Sequence, residues 1–304
     1  MTQEHEIIII GGGPAGLTAG IYAARARGRT VLLEKHGAGG QMALTWEVEN
    51  YPGVEKISGY DLGQIMERQA RGFGLEIRNL DVTGIATADG MHRVSTSEGE
   101  LVSRTIIVAS GSRHNRLGVP GESELTGRGV SYCATCDGAF YQGVPVALVG
   151  GGDTALEEAM FLTRYASRVF LIHRRNEFRG TKLLQERIAA EPKIEPVLDT
   201  VVERIEGAEA VNGLALRNVR NGAASRIAVE GVFIFVGTTP NTEFLRGFLP
   251  LDEKGFIGTT PNLETAVPGV FAAGDVRAKV LRQISTAVGE GALAATMADH
   301  YLSH

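Results

Sequence analysis

An α/β chain of two Rossmann-like, three-layer ββα domains, one inserted into the other, is the fold this sequence predicts. Three observations predict it. A β-branched run, Glu6 to Ile10, ends in Gly11-Gly12-Gly13-Pro14-Ala15-Gly16 and leads into an alanine-rich stretch of helical spacing. The same order recurs where Val144 to Val149 runs into Gly150-Gly151-Gly152-Asp153-Thr154-Ala155. The C-terminal portion, Asn262 to Leu302, carries a strand and a long alanine-rich helix but no glycine fingerprint of its own. It is therefore expected to complete the first domain, with the second domain inserted.

Taken in order, Glu6 to Ile10 is a strand, Leu17 to Arg27 a helix and Thr30 to Glu34 a strand, which is a βαβ unit. His92 to Ser97 and Leu101 to Ala109 read as antiparallel β. Val144 to Val149, Ala155 to Tyr165 and Arg168 to Ile172 repeat the βαβ order. Leu214 to Val219 and Ser225 to Glu230 read as antiparallel strands around Asn221-Gly222, and Val232 to Val236 is a further strand. Val270 to Ala273 ends at Gly274-Asp275, and the last helix opens at Arg282-Gln283. Two polar, turn-rich stretches, Gly111 to Arg116 and Gly237 to Asn241, follow strands and mark the crossings between domains. The expected boundaries are 1–113, 114–242 and 243–304.

The bulk numbers exclude several classes. A length of 304 residues suits two ordinary domains, and 43% hydrophobic with 21% charged residues is the balance of a globular enzyme. No apolar run reaches the length of a bilayer span. Met1 to Glu6 has no basic region followed by a long apolar stretch, so no secretion signal is expected and a cytoplasmic setting is. A net charge of −5 argues against nucleic acid as a partner. The two cysteines, Cys133 and Cys136, are too few for a disulfide scaffold and lack the other half of a zinc site. His300 and His304 lie at the C-terminal end, where fraying is expected. No metal is therefore expected, and the C-x-x-C pair reads as redox-active.

Each fingerprint has its own chemistry. Gly11 permits a tight turn, Gly13 lets backbone approach a pyrophosphate, and Gly16 lets the helix pack close to the strand. The helix start offers free N–H groups and a positive dipole end. Glu34, twenty-three residues after Gly11, ends the next strand and can accept from both hydroxyls of a ribose. This motif alone does not distinguish FAD from NAD. A late Gly274-Asp275 can hold a flavin's ribityl chain or be a plain strand-end turn. At the same offset from Gly150 stands His173, followed by Arg174, Arg175 and Arg179. Guanidinium groups there welcome a 2′-phosphate, which a carboxylate would repel, so NADPH is expected over NADH. A solvated basic turn is the plain alternative. Between the fingerprints, Cys133-Ala134-Thr135-Cys136 on a helical turn brings two thiols within disulfide range. Asp137 is either a proton donor beside them or a first-turn acid of the helix. The order nicotinamide, flavin, disulfide is an electron path.

These residues resemble the bacterial-type, low-molecular-weight thioredoxin reductases nearly end to end, from Ile7 to about Leu302. The resemblance is carried by Cys-Ala-Thr-Cys-Asp at 133–137, Gly-Gly-Gln at 39–41 and Glu-Val-Glu-Asn-Tyr-Pro-Gly at 47–53. His-Arg-Arg-x-x-x-Arg at 173–179 and Gly-Asp-Val at 274–276 leading to Arg-Gln at 282–283 add to it. It implies a homodimer with one FAD per subunit that reduces thioredoxin with NADPH. It further implies Cys133 and Cys136 as the redox pair and Asp137 as proton donor. The FAD set it implies is Gly11, Gly13, Pro14, Ala15, Gly16, Glu34, Lys35, Gly40, Gln41, Asn50, Gly111, Gly274, Asp275, Arg282, Gln283 and Ile284. The NADPH set is Gly150, Gly152, Asp153, Thr154, His173, Arg174, Arg175 and Arg179. Asp153 stands where many members have Asn, beside the pyrophosphate, and Arg277 and Lys279 add positive charge near the flavin loop.

Other functions on this scaffold are weighed against the same residues. A flavin or ferredoxin-linked reductase often lacks the C-x-x-C. A peroxiredoxin-reducing relative carries an extra N-terminal domain and further cysteines, and a non-catalytic flavoprotein predicts decay of one site. A glutaredoxin-like acceptor in place of thioredoxin needs the same chemistry.

Overall fold

The computed structural model describes residues 3–45 and 47–304; Met1 and Thr2, which open the stretch read for a secretion signal, and Trp46 lie outside the described residues. The chain forms two compact units, Met1–Arg113 with Thr239–His304, and His114–Thr238.

The first unit opens with β1 (Gln3–Ile10), α1 (Pro14–Arg25) and β2 (Thr30–Glu34). Ile7 to Ile10 are at most 4% exposed. A central parallel strand is covered on both faces, so it needs apolar residues at every position rather than at alternate ones. Pro14 opens α1 because its fixed φ suits a first turn and its missing N–H is not needed there. Then come α2 (Gly59–Gly72), β3 (Glu76–Asn79), β4 (Val82–Ala88), β5 (Met91–Thr96) and β6 (Gly99–Val108). Ser58 caps α2, its Oγ accepting from Asp61 N–H at 3.0 Å. β1 runs parallel to β2 and β6, and β2 to β3, whereas β4, β5 and β6 form an antiparallel meander.

After the crossing strand β7 (Ser112–His114), the second unit builds the same design from a different sequence. Its elements are β8 (Val130–Ser131), α3 (Ala134–Asp137), β9 (Pro145–Gly150), α4 (Asp153–Leu162), β10 (Arg168–Ile172), α5 (Lys182–Ala190) and β11 (Ile194–Val197). An antiparallel trio follows, β12 (Thr200–Glu206), β13 (Gly213–Asn218) and β14 (Ala224–Ile227), and then β15 (Gly231–Phe235). The five-stranded sheet has the order β11-β10-β9-β15-β8 and is parallel throughout.

The return crossing is β16 (Thr238–Pro240). β17 (Val270–Ala272) then joins the C-terminal half of β6, whose N-terminal half pairs with β5. α6 (Ile284–Ser303) closes the first unit. Among the described residues, no helix is long and apolar enough to cross a membrane.

Candidate functional site

Parallel strands deliver their carboxyl ends to one edge, and ligands bind there in folds of this kind. In the first unit, Ile10 pairs with Val108 and Val108 with Ala272. That register brings Gly11, Gly111 and Gly274 to neighbouring strand ends. Gly13 is the N-cap of α1 and places no side chain on the first turn. A Cβ on Gly13 would find only Gly40 Cα, at 4.0 Å. The helix start is open and its amides uncapped by side chains, which fits a pyrophosphate.

Glu34 closes β2 beside this turn. Its Oε2 accepts Gly12 N–H at 2.6 Å and its Oε1 accepts His36 N–H at 2.8 Å. Each oxygen keeps a second lone pair for a ribose hydroxyl. Lys35 pairs with Asp81 at 2.7 Å. Gly40 and Gln41 open the 3-10 turn Gly40–Leu44. Asn50 Nδ2 donates to Gln283 Oε1 at 3.2 Å, joining residues 233 apart in sequence. Gln283 caps α6, so Ile284 begins it and its N-terminal dipole end lies at this edge. Arg282 also ties the loop together. Its guanidinium donates to the carbonyls of Asp275, Arg277 and Lys279 at 3.5, 3.2 and 3.3 Å and lies 4.3 Å above the Phe256 ring. It shapes the loop between Asp275 and the helix.

In the second unit Gly150 ends β9, and Val149 pairs with Ile172, so His173 emerges beside the glycine turn as Glu34 does in the first. A Cβ on Gly151 would meet the His173 ring at 2.3 Å, and one on Gly12 would meet Glu34 at 3.0 Å. A side chain at Gly151 would collide with His173, which follows β10, and one at Gly12 would crowd Glu34, which ends β2. His173 is buried, and burial first, then Arg179, lowers its pKa. The imidazole is therefore neutral at neutral pH. The positive charge rests on Arg174, Arg175 and Arg179, all exposed and none in an ion pair among the described residues. Gly152 has nothing within 4 Å of its Cβ position and caps α4 without a side chain, which fits a second pyrophosphate. Asp153 Oδ1 accepts Thr181 N–H at 2.7 Å, which turns that oxygen toward its own unit, with Thr154 exposed next to it.

Arg174→Ala combined with Arg175→Ala is expected to weaken NADPH far more than NADH. A hydrogen bond to a charged group contributes about 1.5–3 kcal/mol. Each lost arginine contact thus weakens binding roughly ten- to a hundred-fold. Titration with both nucleotides checks this, and equal weakening of the two overturns the 2′-phosphate assignment.

β8 leads into Cys133, the N-cap of α3. Cys133 and Cys136 form a disulfide with Cα atoms 5.3 Å apart, and Cys136 N–H donates to Cys133 Sγ at 3.1 Å. Burial pushes the Asp137 carboxyl above its ordinary pKa, and a hydrogen bond from Ser131 offsets this in part. Ser131 Oγ also accepts Cys133 N–H at 3.1 Å. The Tyr141 phenol is pushed up to about 12 by burial and by Asp137. No pattern in the sequence marks Ser131 or Tyr141, because they meet Asp137 only through the folding of this turn. Gly138 packs on the end of α4, where a Cβ would lie 3.2 Å from Leu162. The glycine turn thus opens a helix about 15 Å long, and the turn after the dithiol, at Gly138, packs on the far end of that helix.

The family model described as pyridine nucleotide-disulphide oxidoreductase matches residues 5–291. The chain is 43% identical over 309 aligned residues to the thioredoxin reductase of Peptoclostridium litorale, covering 99% of this chain and 98% of that one. It is 44% identical over 299 residues to that of Listeria monocytogenes, covering 98% and 94%. The crystal structure of thioredoxin reductase from Streptococcus pyogenes superposes with a TM-score of 0.96 at 42% identity, covering 100% of this chain and 99% of that one.

Proposed function

This chain belongs to the low-molecular-weight thioredoxin reductases of the pyridine nucleotide-disulphide oxidoreductase family, and from that membership we propose that it reduces the disulfide of thioredoxin with electrons from NADPH. The first unit holds FAD and the inserted unit holds NADPH. The observation that carries this is the Cys133–Cys136 disulfide on the same unit as a glycine turn flanked by three exposed arginines. FAD bound there would supply a two-electron carrier between the nicotinamide and the disulfide.

The protein's residues do the rest. Glu34 and the open turn at Gly13 orient one nucleotide, and Arg174, Arg175 and Arg179 select the phosphorylated form of the other. Reduction of the disulfide needs a proton at the departing sulfur, and Asp137 supplies it. Cys133, stabilised as a thiolate by Cys136 N–H, then attacks the disulfide of the acceptor, and Cys136 resolves the mixed disulfide. The resemblance supports a homodimer acting in the cytoplasm, and light scattering in solution tests the first part.

The decisive experiment is a visible spectrum of the purified protein during NADPH titration. The yellow colour bleaches on NADPH and returns when oxidised thioredoxin is added in excess. Bleaching without return overturns thioredoxin as acceptor.

Asp137→Asn separates the proton donor from a plain first-turn acid. Proton transfer by a placed group contributes about 10²-fold or more, so thioredoxin turnover falls by that much. Stability moves the other way. Folding raises the Asp137 pKa, so the parent loses stability as pH rises from the ordinary carboxylate range through the raised value. The variant does not ionise there. It melts above the parent at pH values beyond that window, and the gap closes in acid. Melting curves across pH check the sign; a gap that widens in acid overturns it.

A further inference from the structure

A charge network surrounds the loop after β17, outside both glycine turns. Its centre is Glu290 on α6. A Cβ on the adjacent Gly291 would lie 2.2 Å from Ala15 O, so glycine is what lets α6 approach α1 and carry Glu290 inward. Glu290 Oε2 accepts Gly274 N–H at 2.7 Å, and Oε1 pairs with Arg277 Nη1 at 2.8 Å. Lys279 Nζ lies 3.4 Å from both Glu290 oxygens and 3.1 Å from Asp275 Oδ1. Arg277 is also held by Thr259 Oγ1, at 2.9 and 2.7 Å.

Two cations and two carboxylates therefore balance in a partly buried place. Lys279 is 9% exposed, Arg277 14% and Glu290 18%. Charges removed from water to this degree are tolerated only when paired, so the set holds one arrangement. Within it, the Lys279 ammonium is shared between Glu290 and Asp275. Without the Glu290 charge, Lys279 binds Asp275 alone, Arg277 loses its carboxylate, and the backbone of Gly274, at φ +79°, loses an ionic acceptor.

We propose that Glu290, acting through Lys279 and the Gly274 amide, is a positioning residue that holds the Asp275 carboxylate ready for the ribityl hydroxyls of FAD. The inference rests on the reading that Asp275 contacts FAD. Glu290 itself touches no substrate.

The test uses Glu290→Gln, which keeps shape and can still accept an N–H but has no charge. FAD is removed and titrated back, with binding followed by flavin fluorescence. Melting of the FAD-free protein and binding of NADP⁺ are measured alongside. The expected result is an FAD dissociation constant raised about tenfold, the scale of one charge-assisted hydrogen bond. NADP⁺ binding stays at the parental value. Asp275→Asn also weakens FAD, and the double variant binds no more weakly than Asp275→Asn alone, because the two residues act in series. Should Glu290→Gln lower the FAD-free melting temperature, Lys279→Met replaces it in the same cycle with the same expectation. Parental FAD affinity in the single variant, or additive losses in the double, overturns the proposal. If Asp275→Asn leaves FAD binding intact while Glu290→Gln weakens it, the Asp275 assignment fails and the proposal fails with it.

Discussion

Cys133→Ser or Cys136→Ser abolishes thioredoxin reduction while NADPH still bleaches the protein. Neither cysteine belongs to a glycine turn. Both nucleotide sites therefore survive the substitution. What disappears is the relay. With one sulfur left there is no disulfide to accept electrons, and a lone thiol can open the acceptor disulfide but not resolve the mixed disulfide that follows. Turnover is expected to fall by about 10³-fold or more, equivalent to roughly 4 kcal/mol at the transition state. A trapped mixed disulfide, seen by mass, identifies which sulfur faces the acceptor. That role falls to Cys133 only on the strength of the Cys136 N–H at 3.1 Å, so trapping by Cys136 alone reverses the assignment. Full turnover by either variant ends the dithiol reading.

Local features are legible in the sequence, and features made by long-range approach are not. The isoleucine run of β1 and the two glycine turns are visible because a buried parallel strand and a phosphate turn each impose a short, contiguous pattern. Edge elements are quieter. β3 (Glu76–Asn79) is half exposed, and α5 buries only Ile188 fully, so neither shows a strong period. α2 is absent from the elements expected above, although its signal is plain: Leu62, Met66 and Ala70 are buried at four-residue spacing behind the Ser58 cap. At the site, Glu34 and the arginines follow from counting along one βαβ unit. Glu290 does not, because its position depends on α6 meeting α1 at Gly291. The sequence shows Arg282 at the start of the last helix, but the three loop carbonyls that occupy its guanidinium come together only in the fold.

An irreducible bridge that locks the two units together is expected to stop turnover after one half-reaction. The inserted unit keeps its two functional turns apart. Its glycine turn opens α4, a helix about 15 Å long, and the turn after the dithiol, at Gly138, packs on the far end of that helix. Strand order separates them too, since β15 lies between β8 and β9. Yet, on the proposed assignment, nicotinamide and disulfide must each come within about 3–3.5 Å of the same flavin ring. They could meet opposite faces of the ring at once, or one place in alternation. Alternation is favoured because Cys133 and Cys136 must also meet a partner the size of a protein, which a dithiol pinned to the ring cannot do. The chain crosses between units only at Gly111 to Arg116 and Gly237 to Asn241, and such short crossings can absorb the rotation. The bridge is a bifunctional alkylating reagent joined by a thioether at each end to two introduced cysteines, applied while Cys133–Cys136 is oxidised so that only the new thiols react. Rapid mixing with NADPH, and separately with reduced thioredoxin, reads each half-reaction. With the nicotinamide locked at the ring, bleaching by NADPH proceeds at the parental rate and flavin reduction by reduced thioredoxin stalls by about 10²-fold or more, with steady-state turnover following the slower. Parental turnover with the bridge verified by mass means that the swing is not required and that the two reactive groups meet opposite faces of the ring.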